Sequence, residues 1–249
     1  MNPFVFNTSK SIRFGVGALT EIGTLARTEI GRKVMLVTDT GIVASGIADR
    51  AMALLKKADI KVNLYSEVIP DPPEAVILEA TQIARDNGVE GIIGLGGGSS
   101  LDVAKLVALL SAGTETLKDI YGVGNAKGPR LPLILVPTTA GTGSEVTPVS
   151  IVTTGEKEKM GVVSPVILPD VALLDPELTL GLPPDITAAT GIDAMVHAIE
   201  AYASVSPNNN PMSQMLARNA LALISRSLLT AVESGDVLTA RSQMLLGSM

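Results

Sequence analysis

From Lys33 to Ala112 the chain alternates two kinds of hydrophobic pattern, and that alternation leaves few folds open. Lys33-Val-Met-Leu-Val-Thr38, Lys61 to Ser66 and the run from Gly91 to Gly96 are short and apolar, as buried strands are. Between and after them, Gly46 to Ala58, Glu74 to Asn87 (closed by Gly88) and Leu101 to Ala112 carry apolar residues at helical spacing. Strand and helix in turn, with short connections, predict right-handed βαβ units and a parallel sheet. Ligands of such sheets sit at the carboxyl ends of the strands. Asp39 stands at one such end and Gly96–Gly98 at another.

The rest of the chain extends this pattern and then leaves it. Residues 4–6 and 12–15 read as short strands, and Ala18 to Glu29 as helical. Residues 113–130 are rich in Gly, Asn and Lys and read as a surface loop. Leu131 to Val136 is a further strand, Val149–Thr153 and Met160–Val163 form a hairpin across Gly155-Glu-Lys-Glu, and Val171 to Leu174 is the last strand. After Asp175-Pro176 only helical patterns follow, over about 185–204, 212–229 and from 236 onward. A domain boundary is therefore expected near residue 176, giving 1–176 as an α/β domain and 177–249 as a helical one. The last helical pattern reaches Met249 without a convincing stop signal.

Composition narrows the function classes. Apolar residues make up 46% of the 249 and aromatics only 2%, so the core must be aliphatic. The net charge is −6 with no basic stripe, which disfavours nucleic acid as a partner. There is no cysteine, so disulfides and thiolate metal sites are excluded. No signal peptide and no membrane span is indicated, and a cytoplasmic location is expected.

Three motifs carry candidate chemistry. Gly96-Gly-Gly-Ser-Ser-Leu-Asp-Val-Ala-Lys105 spans a strand-to-helix turn, where glycines let backbone N–H groups approach a phosphate at a helix N-terminus. It matches neither Gly-x-Gly-x-x-Gly nor a P-loop, and a plain glycine turn with Ser99 as N-cap and Asp102 completing a capping box is the bland alternative. Pro137-Thr-Thr-Ala-Gly-Thr-Gly-Ser-Glu-Val-Thr147 offers hydroxyls and amides that suit phosphate, ribose or a carboxamide; a polar connecting loop would read the same way. Asp193 and His197, four apart on one helix, can both reach a cation, with Glu200 on the same side. Such oxygen and nitrogen donors suit Fe(II), Zn or Mn, although a surface Asp–His contact would look identical.

Taken in order, and with Lys159-Met-Gly-Val-Val-Ser-Pro and Val171-Ala-Leu-Leu-Asp-Pro-Glu between the last two, these motifs resemble the iron-containing (group III) alcohol dehydrogenases. The resemblance implies the dehydroquinate-synthase-like fold of that family, a parallel-sheet dinucleotide-binding domain followed by an all-helical one. It implies NAD(P)-dependent interconversion of a small alcohol with its aldehyde or ketone. It places the pyrophosphate at Gly97, Gly98 and Ser99 and the adenosine ribose at Asp39. Thr138, Thr139, Thr142 and Thr147 would line the cofactor, with Lys159 near the nicotinamide-side ribose. Asp193 and His197 would be metal ligands, for Fe(II) or alternatively Zn. No residue is assigned as general base. Asp39 favours NAD over NADP, since a carboxylate repels a 2′-phosphate.

The chain departs from the family in two places. Asp71-Pro72 stands where many members have Asn-Pro, and no role is carried onto Asp71. The family's metal site needs two more histidines, and His197 is the only one in this chain. The chain is therefore read as a partial family member, of a kind that forms a homodimer or higher homo-oligomer when complete. A non-catalytic nucleotide-binding fragment and a relative of the glycerol dehydrogenases or maleylacetate reductases are the alternatives.

Overall fold

A computed structural model describes residues 3–155 and 158–249. The N-terminal part is a six-stranded parallel sheet. Its strands are β1 (Ser11–Phe14), β2 (Lys33–Asp39), β3 (Lys61–Val68), β4 (Gly91–Gly96), β6 (Leu133–Pro137) and β9 (Val171–Leu174), in the order β1-β9-β6-β4-β2-β3. The helices are α1 (Ile22–Leu25), α2 (Thr40–Ala44), α3 (Ile47–Lys57), α4 (Glu74–Asp86), α5 (Gly98–Ala112) and the single turn α6 (Leu117–Ile120). A second sheet holds β5 (Gly122–Val123), β7 (Val149–Thr154) and β8 (Glu158–Val163).

The central strands are buried on both faces, and their side chains divide by the two-residue pleat. Met35, Val37, Ile92, Leu133 and Leu135 pack on one side against Ile77, Ala80 and Ala84 of α4 and Leu101 to Leu109 of α5. Val34, Leu36, Ile93, Leu95, Ile134 and Val136 pack on the other against Ile22 and Leu25 of α1 and Ala51 and Leu55 of α3. The near-continuous apolar runs of the sequence are the consequence of this double coverage.

Strand order reverses next to β2. β3 lies on one side of it, and the chain then crosses to place β4 on the other. That reversal opens a crevice at the carboxyl ends of β2 and β4, the position at which open α/β sheets bind ligands. Asp39 ends β2 and Gly96 ends β4.

Beyond β9 come α7 (Pro184–Ala203), α8 (Pro211–Glu233) and α9 (Leu238–Ser248), with α8 packed between the other two. Ala194, Ile224, Ala231, Met244 and Leu245 form a third core, which includes Ala140, Ala172 and Leu174 and so fastens the helices to the sheet's carboxyl edge. Among the described helices, α8 alone has the length and apolar composition to cross a bilayer. It carries Arg218 and Arg226 and is one layer of this packed group.

Four sequence expectations need correction. Residues 4–6 are not a strand; the Val5 N–H and C=O are instead satisfied by the side-chain amide of Asn208 at 2.9 and 3.0 Å. Ala18 to Ile30 is not one regular helix but successive 3₁₀, α and π turns. The loop over 113–130 contains α6, started by a Thr116–Asp119 capping box, and β5, which pairs with β8. Ser99 does not cap α5: the helix begins one residue earlier, at Gly98, and no side chain caps it. The β7–β8 hairpin forms as expected, with its turn residues 156–157 outside the described residues.

Candidate active site

The turn from β4 into α5 is built by three glycines with three different reasons. Gly96 has φ +151°, and a Cβ there would stand 2.7 Å from Ser100 Oγ and 3.1 Å from Asp39 Oδ2. Gly98 is held by Thr142, whose Cγ2 would lie 2.8 Å from an added Cβ. Gly97 has neither constraint. Its φ of −77° and ψ of −176° suit any residue, and the nearest atom to an added Cβ is Thr139 Cγ2 at 3.5 Å. The protein's own packing therefore does not require a glycine at position 97: a Cβ there would sit in ordinary van der Waals contact with Thr139. α5 has no side-chain cap and no acidic residue of its own in its first turn, which leaves its first N–H groups without a side-chain acceptor.

Asp39 lies across this turn. Its Oδ1 accepts the Ile42 N–H at 3.1 Å and caps α2, and its Oδ2 accepts the Ser100 hydroxyl at 3.0 Å. Each carboxylate oxygen keeps a further lone pair. Thr138 is buried and donates its N–H to the Gly96 carbonyl at 3.0 Å, so the threonine loop is tied directly to the glycine turn. Thr139 faces Gly97, and Thr142 is exposed over Gly98. Asp39, Gly97, Gly98, Ser99, Thr138, Thr139 and Thr142 thus meet at the carboxyl ends of three adjacent strands, β2, β4 and β6.

Two of the remaining expected residues sit apart from that turn. Thr147 lies deeper along α5, with its Oγ1 3.5 Å from the Lys105 amine. Lys159 is on β8, exposed, and donates to Asp71 Oδ1 at 2.5 Å. An ion pair this exposed adds little stability.

A buried charged cluster was not anticipated from the sequence. Lys105 is fully buried, and its amine donates to the Val149 carbonyl at 2.7 Å and Ser144 Oγ at 2.8 Å. Asp102 does not cap α5. Its Oδ1 accepts the Ser144 hydroxyl at 2.6 Å, its Oδ2 accepts the Ile151 N–H at 2.9 Å, and Lys105 Nζ stands 3.6 Å from Oδ1. Glu145 is also buried, and among the described residues its Oε1 has no hydrogen-bond partner. Burial pushes its carboxyl up to about 7, against the opposing pull of its own backbone N–H and of Lys105. Burial likewise pushes the Lys105 ammonium down from the usual lysine range, with Asp102 and Glu145 partly restoring it. The signal available in the sequence was that Asp102 and Lys105 are the only charged residues in an otherwise apolar helix.

Asp193 and His197 share one face of α7, half exposed, with Oδ1 and Nε2 3.6 Å apart. They are donors of the right kind for a divalent metal. Among the described residues no three His, Cys, Asp or Glu side chains are grouped to hold one. Glu200 is exposed one turn further on and does not complete a set. Two donors fall short of the three or four protein ligands that zinc or iron sites use.

Comparison with known proteins gives the family. The family described as "Iron-containing alcohol dehydrogenase" matches residues 9–176, and "Fe-containing alcohol dehydrogenase family, C-terminal" matches residues 187–249. The chain belongs to the iron-containing alcohol dehydrogenases. It is 41% identical over 237 residues to long-chain-alcohol dehydrogenase 1 of Geobacillus thermodenitrificans, covering 94% of this chain and 59% of that protein. It is 38% identical to alcohol dehydrogenase 4 of Saccharomyces cerevisiae, covering 93% of this chain and 60% of that one. Among solved structures, 1,3-propanediol oxidoreductase superposes with TM-score 0.94 at 35% identity, over 99% of this chain and 64% of the other. Sulfoacetaldehyde reductase of Bifidobacterium kashiwanohense, solved in complex with NAD+, gives 0.89 at 34% identity, over 99% and 65%. This member of the family thus spans about 60% of the length of its curated relatives.

The buried Glu145 gives a testable pH dependence. Its carboxyl ionises at about 7 in the folded chain, against 4.5 ordinarily. The folded state holds this proton more tightly, so the stability tied to it is present below 4.5, lost as pH rises to about 7, and constant above. Glu145→Gln should match the parent's melting temperature near pH ~5 and exceed it by several degrees near pH ~8. Parallel melting curves across that range would show that no buried acid titrates there.

Proposed function

We propose that this chain carries the dinucleotide site of an alcohol dehydrogenase that interconverts a small alcohol and its aldehyde or ketone by hydride transfer with NAD(H). The observation that carries the reading is that Gly97, at the uncapped start of α5 and at the sheet's reversal point, is a glycine that neither its backbone angles nor its neighbours require. The N–H groups of Gly97, Gly98 and Ser99 receive the pyrophosphate there, where the helix dipole favours negative charge. Asp39 accepts hydrogen bonds from the adenosine ribose while keeping its bonds to Ile42 and Ser100. Thr138, Thr139, Thr142 and Thr147 line the groove towards the nicotinamide, and Lys159, steadied by Asp71, lies by the second ribose.

The dinucleotide, when bound, supplies the hydride acceptor or donor. The protein's part is to orient it along the strand ends and to keep its charged centre in contact with fixed backbone dipoles. Residues 1–176 form the binding domain in this reading, and 177–249 the helical domain beside it. Asp193 and His197 contribute two donors towards an iron site, with zinc as the alternative metal. They do not make a complete site between them. That a relative was solved with NAD+ supports NAD(H) as the cofactor class.

Gly97→Val tests the pyrophosphate site. The backbone there is ordinary and the side chain meets Thr139 at van der Waals distance, so the fold and melting temperature should hold. NADH affinity should fall by about a hundredfold or more, because the added methyls fill the space the phosphates need. A folded Gly97→Val protein that binds NADH as the parent does would remove the assignment.

Cofactor choice is a separate test. The Asp39 side chain accepts from a ribose 2′-hydroxyl and repels a 2′-phosphate, so calorimetric titration should show NADH bound at least about tenfold tighter than NADPH. Equal or tighter NADPH binding would contradict the role given to Asp39.

A further inference from the structure

The buried cluster beneath the groove joins its two walls. One wall is α5, which begins at the glycine turn; the other is the threonine loop and the start of β7. Lys105 and Asp102 stand one turn apart on α5, and their bonds run out to the other wall. The Lys105 ammonium has three protons to place. Two go to Ser144 Oγ and the Val149 carbonyl, and the nearest further acceptor is Thr147 Oγ1 at 3.5 Å. The Ser144 hydroxyl in turn donates a hydrogen bond to Asp102 Oδ1, which closes a relay from Lys105 through Ser144 back to α5. Asp102 then takes the Ile151 N–H on Oδ2 and the Ser150 hydroxyl, at 3.1 Å, on its backbone carbonyl.

The relay reaches the groove by one more bond. The Ser144 N–H donates to Thr142 Oγ1 at 3.2 Å, and Thr142 is the side chain that stands against Gly98. A path of direct contacts therefore runs from Lys105 through Ser144 and Thr142 to the glycine turn. Packing alone does not call for a lysine here. A buried pair of charges costs desolvation free energy, and an apolar side chain of similar volume commonly does as well or better for stability.

We propose that Lys105 and Asp102 are positioning residues that set the separation of the glycine turn from the threonine loop, and so hold the dinucleotide groove at its binding width. This rests on the dinucleotide reading of that groove. Neither side chain touches the cofactor; both act through Ser144 and Thr142.

Lys105→Met combined with Asp102→Leu is the informative variant, because it removes both charges together and leaves neither buried without its partner. A purely structural pair would lower melting temperature and NADH affinity together. A positioning pair loses affinity without losing stability. The expected result is a melting temperature equal to or above the parent's, NADH binding weakened about tenfold or more, and faster hydrogen exchange at the Ser144 and Ile151 amides with β2 and β4 unchanged. Ser144→Ala, which breaks the relay while leaving both charges, should weaken NADH binding to a smaller degree and serves where the double variant does not fold. A folded variant that binds NADH within about twofold of the parent overturns the proposal, with or without faster exchange. Were the parent itself to bind no NADH, the dinucleotide reading would fail. The exchange rates at Ser144 and Ile151 would still decide whether the two walls are coupled.

Discussion

The site depends on the chain passing from β4 into α5 with no intervening loop. That passage needs a residue at Gly96 with positive φ and no Cβ, because Ser100 and Asp39 already occupy the space beside it. Once the turn is that tight, the first N–H groups of α5 point out of the sheet's carboxyl edge beside Asp39 and the threonine loop. The Thr138 N–H then bonds the Gly96 carbonyl, so the neighbouring strand is brought into register with the same turn. Geometry that would suit an anion follows from backbone constraint, before any charged side chain is considered.

The buried ions work in the opposite sense. Lys105 and Asp102 cost solvation free energy, and their bonds recover it only while Ser144, Val149 and Ile151 stay in place. Such a cluster tolerates little displacement, which makes it a rigid floor for a groove whose rim is built of glycines and an exposed threonine. Asp175 does a similar job at the far edge of the sheet, where its buried carboxylate accepts the N–H groups of Gly17, Leu19 and Glu177. The helices after it then dock on Ala172 and Leu174.

Much of this was legible in the sequence, for a physical reason. Strands buried on both faces must be apolar throughout, so Val34–Val37, Ile92–Leu95 and Leu133–Val136 announce themselves. The Gly-rich turn and the Asp39 position follow from that parallel sheet. What was not legible depended on partners far along the chain. The Val5 backbone is satisfied by Asn208, two hundred residues away, and so forms no strand. Asp102 had the spacing of a capping residue, yet Ser144 and Ile151 claim its oxygens. The depth of Lys105 and Glu145 depends on how the threonine loop folds over α5, which no local pattern encodes. Asp193 and His197 share a face as their spacing requires, but spacing says nothing of further ligands, and the described residues supply no third.

The claim at the centre is that the glycine turn between β4 and α5 is where a dinucleotide binds. Backbone amide resonances of the isotopically labelled chain, followed while NAD+ is added, test it with no substitution and no turnover. The account predicts the largest shifts at Gly97, Gly98 and Ser99, with smaller ones at Asp39 and Thr138 to Thr142. Saturable shifts elsewhere, with those three amides unmoved, would contradict it.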